Sequence, residues 1–169
     1  SPSAPTDTKQ HSRCTRPTRF SRFSQRNLHQ RMPSHVYTHR VRYRECDPMG
    51  VVYHTHYLDY FEAARTEALR ALGLAYKDLE EQGIIMPVVD LAVRYHRSAK
   101  YDDVLEITTR FDEVPRVRLR LDYEVRRAGE AEVIVTGHVT LCFIDRARSR
   151  PIPAPDAVRV LFEHVQFEG

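Results

Sequence analysis

Two residues in one short stretch have the types and the spacing for hydrolytic chemistry at a carbonyl. Asp47 opens the turn-forming tetrapeptide Asp-Pro-Met-Gly, and His54 follows seven residues later, where an amphipathic helix begins. A helix N-terminus carries unpaired backbone N–H groups and the positive end of the helix dipole, so it can hold a developing oxyanion. A carboxylate beside it can attack the carbonyl or take a proton from water. Gly50 lacks a Cβ and lets the backbone approach a ligand closely. Tyr53 and His54 are placed to present N–H groups at the helix start, and the His54 imidazole can orient water or assist a leaving group. Read by itself, the same tetrapeptide is also an ordinary turn whose aspartate caps its own loop.

Other reactive side chains nearby carry less. His54 and His56, with Cys46 and Asp47 close in sequence, invite a metal reading, but residues two apart do not share a helix face. The usual short metal-ligand motifs are missing. Cys46 has no arrangement of partners that would make it a nucleophile and reads as a small buried or half-buried thiol. Tyr57, Tyr60 and Phe61 fall at helical spacing, which marks core residues; some of them can also line an apolar pocket. Glu62 and Arg65 are three apart and positioned to pair with each other. Arg94, His96, Arg97 and Lys100 form the one local basic concentration outside the N-terminal segment, suited to phosphate groups or to a solvated strand end.

The elements that must position these residues are legible from periodicity. Alternating Val36, Tyr37, His39, Val41 and Tyr43 predict a half-buried strand over 35–43, broken by the Pro and Gly of the turn. Tyr57, Phe61, Ala64, Ala68 and Leu72 recur at steps of four and three, predicting one long helix with Thr55 as its cap and Gly73 at C′. A shorter helix is expected over 76–82. Alternation then predicts strands at 89–95, 105–111, 117–125 and 133–143, with turns at 112–115 and 126–132 and a hairpin tip at Ala128 and Gly129. Residues 145–155 are proline-rich and read as loop, and a short helix over 156–164 closes the chain. One early strand, one long helix and four antiparallel strands make an α+β protein.

Composition sets the frame. The chain has 169 residues, 41% hydrophobic and 29% charged, enough for one domain with its own core. No apolar run approaches the ~20 residues of a membrane span. Three widely spaced cysteines without a CxxC pair point to reduced thiols and a cytoplasmic location. The formal charge of +3 is unevenly divided. Residues 1–33 hold seven basic side chains and one acid, or +6, which leaves 19 bases and 22 acids, or −3, for the remainder. The basic character therefore belongs to the N-terminal segment, and specific nucleic-acid binding by residues 34–169 is not expected. Residues 1–33, rich in Arg, Ser, Thr and Pro, read as a disordered tail. Their composition is like that of an organellar transit peptide, but a non-native or over-long N-terminus with a natural start at Met32 fits better, since the motif-bearing sequence begins immediately afterwards.

The segment CDPMGVVYHTHY (46–57), followed by FEAAR (61–65), resembles the hotdog-fold thioesterases, in particular the 4-hydroxybenzoyl-CoA thioesterase-like group that includes the YbgC-type acyl-CoA thioesterases. YHRSAKYDD (95–103) and RPIP (150–153) agree with it in order and spacing. The resemblance covers about residues 36–155. It implies a hotdog fold, a curved antiparallel β-sheet wrapped around one long α-helix, occupying 34–169. It also implies joining of two subunits edge to edge, often again into a homotetramer, with active sites at the subunit interface. Asp47 corresponds to the family's catalytic carboxylate, and His54 to the oxyanion position, with a catalytic role for its side chain in the YbgC-like branch. The expected substrate is an acyl-CoA with a short- or medium-chain or aromatic acyl group, hydrolysed to acid and coenzyme A without metal or separate cofactor. Gly50, Val51, Tyr53, Tyr57 and Phe61 are expected against the acyl thioester, and Arg94, Arg97 and Lys100 against the phosphates. Acyl carrier protein is an alternative carrier of the substrate. A non-catalytic acyl-CoA-binding protein is the alternative from a different class, although the presence of both Asp47 and His54 argues against lost chemistry. A hotdog dehydratase calls for a different His/acid arrangement.

Overall fold

A computed structural model describes residues 33–167. The expectation of a tail therefore falls almost wholly outside the described residues, as does Cys14. Eight strands and three helices follow in the order β1 (Ser34–Arg40), α1 (His56–Ala71), α2 (Tyr76–Glu81), β2 (Ile84–Ile85), β3 (Val88–Tyr95), β4 (Val104–Phe111), β5 (Arg118–Arg127), β6 (Val133–Cys142), β7 (Ile144–Asp145), β8 (Arg150–Pro151) and α3 (Asp156–Phe167). Five strands form one antiparallel sheet in the order β1-β4-β5-β6-β3. The fold is the hotdog arrangement, α+β, with α1 against β1 and β4 on the sheet's inner face.

The period-two pattern explains the central strands. Leu105, Ile107, Thr109 and Phe111 of β4 and Leu119, Leu121, Tyr123 and Val125 of β5 are buried while most residues between them are partly or fully exposed. Helix α1 answers with Tyr57, Tyr60, Phe61, Ala64, Ala68 and Leu69. Phe61 stacks on Tyr123 at a centroid distance of 4.3 Å. Gly137 on β6 makes this approach possible: a Cβ there would stand 2.7 Å from a Phe61 ring carbon and 2.7 Å from the Ala92 carbonyl oxygen. Helix α1 ends as its sequence predicts. Gly73 takes a φ of 84°, its N–H donates to the Arg70 carbonyl, and the Leu74 N–H donates to the Leu69 carbonyl, the two bonds of a Schellman cap.

Three expectations are corrected. The first strand ends at Arg40, and Tyr43–Glu45 form a 3₁₀ turn in which Glu45 is buried. Thr55 precedes α1 with helical backbone angles and makes no side-chain cap bond. The stretch from Asp145 is not all loop, because β8 pairs with β7, and β7 with β2, in a second small sheet. Strand β3 stands apart from the alternating strands. It is an edge strand, and Val88, Val89, Leu91 and Tyr95 on it are all exposed.

Candidate active site

Residues 45–53 form a tight hairpin between the 3₁₀ turn and α1. The Tyr53 N–H donates to the Glu45 carbonyl at 2.9 Å, Cys46 pairs with Val52, and the Asp47 N–H donates to the Val51 carbonyl at 2.9 Å. At the turn the Gly50 N–H donates to the Asp47 carbonyl at 2.9 Å. Gly50 has a φ of 77°, and a Cβ built on it meets nothing within 4 Å, so the left-handed backbone and not crowding asks for glycine. The Asp47 carboxylate folds back on its own loop. Its Oδ1 accepts the Met49 N–H at 2.8 Å and the Val51 N–H at 3.4 Å. Oδ2 has no donor among the described residues. One oxygen thus orients the carboxylate and the other is left for chemistry.

The hairpin is moored on one side to the segment 96–103. The Val52 N–H donates to the carbonyl of Ala99, a buried residue, and Val51 pairs with Lys100. That segment is itself fixed by Asp103, whose Oδ2 accepts the Lys100 N–H at 2.8 Å and Arg127 Nε at 2.9 Å. Arg127 also donates to the Ser98 carbonyl. Burial pushes the Asp103 carboxyl upward, but Arg127 and the Lys100 amide together hold it below the ordinary carboxylate range.

His54 sits at the root of the hairpin, two residues before α1, with an exposed side chain. Its carbonyl accepts the Tyr95 hydroxyl from β3 at 3.0 Å, which fixes the peptide leading into the helix. Its ring lies 4.3 Å from that of Tyr53 and edge-on to that of Tyr95. Among the described residues the His54 N–H has no acceptor. The paired amide expectation is thereby corrected: Tyr53 spends its N–H on Glu45, and only His54 has one to offer. A metal site at His54 and His56 does not assemble, because His56 Nδ1 turns to Asp59 at 3.0 Å.

The remaining expected residues divide. Tyr57 and Phe61 are buried in the core under the hairpin, and Tyr57 packs against Tyr95 at 5.7 Å. Arg65 does not pair with Glu62; its guanidinium lies 5.9 Å from the centroid of the Tyr76 ring. Burial lifts the Tyr76 hydroxyl to about 12. Arg97 is engaged by Glu132 at 3.0 Å and His96 by Thr136 at 2.9 Å, while Arg94 and Lys100 are exposed. Two hollows of about 590 and 500 Å³ lie elsewhere, one along β1 by Tyr43 and Tyr101, the other by Gly83 and Arg148; neither is lined by Asp47 or His54.

Two residues that sequence reasoning passed over belong to the site. Tyr95 reads as an ordinary strand position, and nothing local says that its hydroxyl reaches back 41 residues. Glu45 is 6% exposed, and its Oε2 accepts His39 Nε2 at 2.9 Å, the Arg42 N–H at 2.8 Å and the Tyr60 hydroxyl at 2.9 Å. Burial pushes its carboxyl upward, but these three donors outweigh that and hold it below the ordinary carboxylate range. Its signal was an acid two residues before Asp47 in a stretch that alternation assigns to a strand end.

The chain is similar to known thioesterases in sequence and fold. Residues 41–162 match the model of the thioesterase-like superfamily. The acyl-CoA thioesterase YbgC of Haemophilus influenzae is 34% identical over 128 residues, covering 75% of this chain and 93% of that protein. A DHNA-CoA thioesterase structure from Staphylococcus aureus superposes with a TM-score of 0.73 at 33% identity, over 79% of this chain and 91% of that one. A mutant 4-hydroxybenzoyl-CoA thioesterase complexed with 4-hydroxybenzoyl-CoA superposes with a TM-score of 0.69 at 26% identity, over 76% and 98%. With the carboxylate on its hairpin and the helix behind it, the chain belongs to the thioesterase-like superfamily, a hotdog-fold family of thioester hydrolases.

Proposed function

We propose that this protein hydrolyses acyl-CoA thioesters, with a short- or medium-chain or aromatic acyl group, to the free acid and coenzyme A. The observation that carries the reading is the Asp47 carboxylate, oriented through Oδ1 and open at Oδ2, on the hairpin whose root offers the free His54 amide. The thioester carbonyl oxygen takes its developing charge to that amide and to the start of α1. Oδ2 then acts in one of two ways. As nucleophile it forms an acyl anhydride, the C–S bond breaks with the thiolate leaving, and water hydrolyses the anhydride. As general base it takes a proton from a water that attacks directly, and the proton passes to the departing thiolate. The His54 imidazole stands where it can serve that leaving group.

Gly50, Val51 and Tyr53 border the reacting carbonyl, with Tyr57 and Phe61 beneath the acyl group. Lys100 and Arg94 face the phosphates; Arg97 has to leave Glu132 to join them. The relatives' names span both acyl classes, from YbgC to DHNA-CoA and 4-hydroxybenzoyl-CoA thioesterases. No metal or separate cofactor enters this chemistry. A second copy joins along the exposed β3 edge, which ends next to the site at Tyr95 and carries Val88, Val89 and Leu91 outward.

Thiol release across a panel of acyl-CoAs tests the reading. Turnover with wild type and a loss of at least about a hundredfold with Asp47→Asn is expected, because Asn keeps the Oδ1 acceptor and loses the nucleophile or base. Silence with coenzyme A esters still bound overturns it in favour of an acyl-carrier-protein thioesterase, or, if acyl carrier protein is also inert, of a non-catalytic binding protein.

A further inference from the structure

We infer that Glu45 is a positioning residue that selects the His54 amide as the oxyanion donor, an inference that rests on the proposed hydrolysis. Three elements meet at its side chain: His39 of β1, the Arg42 amide at the 3₁₀ turn and Tyr60 of α1 all donate to the same oxygen, Oε2. His39 and Tyr60 are also in ring contact at 4.3 Å, so the three groups form one buried knot between strand and helix. The backbone carbonyl of Glu45 meanwhile takes the Tyr53 N–H at 2.9 Å. Glu45 thus acts twice. Its side chain sets the height of the hairpin root against α1, and its carbonyl consumes the amide that precedes His54.

The register has a chemical consequence. With Tyr53 paired, the first free N–H at the hairpin–helix junction is that of His54, and Asp47 is held by the same hairpin two residues beyond Glu45. If the Glu45 knot loosens, Tyr53 and His54 both lose their definition relative to Asp47, although neither is altered. Displacements of about 1 Å in such an arrangement cost on the order of a hundredfold in rate. The acyl-CoA contacts proposed above include none of His39, Glu45 and Tyr60, which line a separate hollow of about 290 Å³ beside α1. The effect belongs in kcat.

The test uses Glu45→Leu, Glu45→Gln and Tyr60→Phe in the full chain. Leu removes the acceptor, Gln can return an oxygen to its place, and Phe removes one donor while filling the same space. For Glu45→Leu, kcat is expected to fall about a hundredfold with KM within about twofold, Glu45→Gln to recover most of the loss, and Tyr60→Phe to lie between. Amide hydrogen exchange supplies a reading that needs no turnover: Tyr53 protected and His54 fast in the wild type, with Tyr53 protection lost in Glu45→Leu, or in Tyr60→Phe should the Leu variant not fold. Unchanged kcat in Tyr60→Phe together with an unchanged Tyr53 amide overturns the positioning role. A wild type inert toward every acyl-CoA overturns the functional reading instead, and the exchange pattern still decides whether Glu45 sets the register.

Discussion

At the scale of single residues, the site depends on which atoms are already spoken for. Asp47 commits Oδ1 to its loop, and Tyr53 commits its N–H to Glu45, so the groups proposed to react are the ones left over. His54 then acts through two separable parts. His54→Ala keeps the amide and tests the imidazole alone, whereas His54→Pro removes the N–H. Thiol-release kinetics should show the Pro variant at least about a hundredfold slower than the Ala variant if the amide is the oxyanion donor. Glu45 contributes to the acid side of the stability profile, together with Asp103 and Glu124. Its folded-state pKa lies below the ordinary value of 4.5, so its stabilisation is complete above that value and is lost as pH falls through the folded pKa. Thermal melts between pH 3 and 6 should show a steeper acid decline for wild type than for Glu45→Gln. Sequence alone singled out Asp47 and His54 as candidates, because their types and seven-residue spacing are local. It did not reveal Glu45, which is tied to Tyr60 of α1 15 residues away, or Tyr95, whose partner lies 41 residues away along the chain.

At the scale of elements, legibility follows how much of a signal is local. Helix α1 shows itself twice, in the three-and-four spacing of its apolar face and in Gly73, whose left-handed backbone lets its own N–H and that of Leu74 make the two bonds of the terminal cap. Strands β4 and β5 alternate because one face of each meets the core. The stretch 41–43 misleads for a physical reason: Val41 is buried and Tyr43 continues the apolar alternation, but the chain has already left β4 and turned toward the hairpin. Residues 144–151 mislead in the opposite sense, since Pro and charge conceal a ladder only two pairs long. The contact between β6 and α1 permits a direct test. Gly137→Ala places a methyl against the Phe61 ring and the Ala92 carbonyl, where only the ring has room to shift. Chemical denaturation should show a loss of about 1–3 kcal/mol, the range of overpacked cores. Activity per folded molecule should fall too, since Phe61 is one helical turn from Tyr57.

At the scale of the whole molecule, β3 is both the free edge of the sheet and the strand that reaches His54. Leu91→Lys places a charge in the middle of that edge without touching the core. Light scattering should give the monomer mass for this variant and a dimer or tetramer for the wild type, with thiol release falling in parallel; a wild-type monomer with full turnover would remove the edge from the account. The pairing of β1 with β4 has a consequence of its own. Ser34 faces Arg110 across 76 intervening steps of chain, and Tyr95 is held on β6 by Val135. Asp47 and His54 leave the ribosome early, but the strands that secure their hairpin follow much later. Long-range pairing of this kind forms slowly and late. On the proposed function, a nascent chain stopped before β5 carries both candidate catalytic residues on a hairpin whose mooring segment still lacks Arg127, and hydrolytic competence is expected only once that strand is in place.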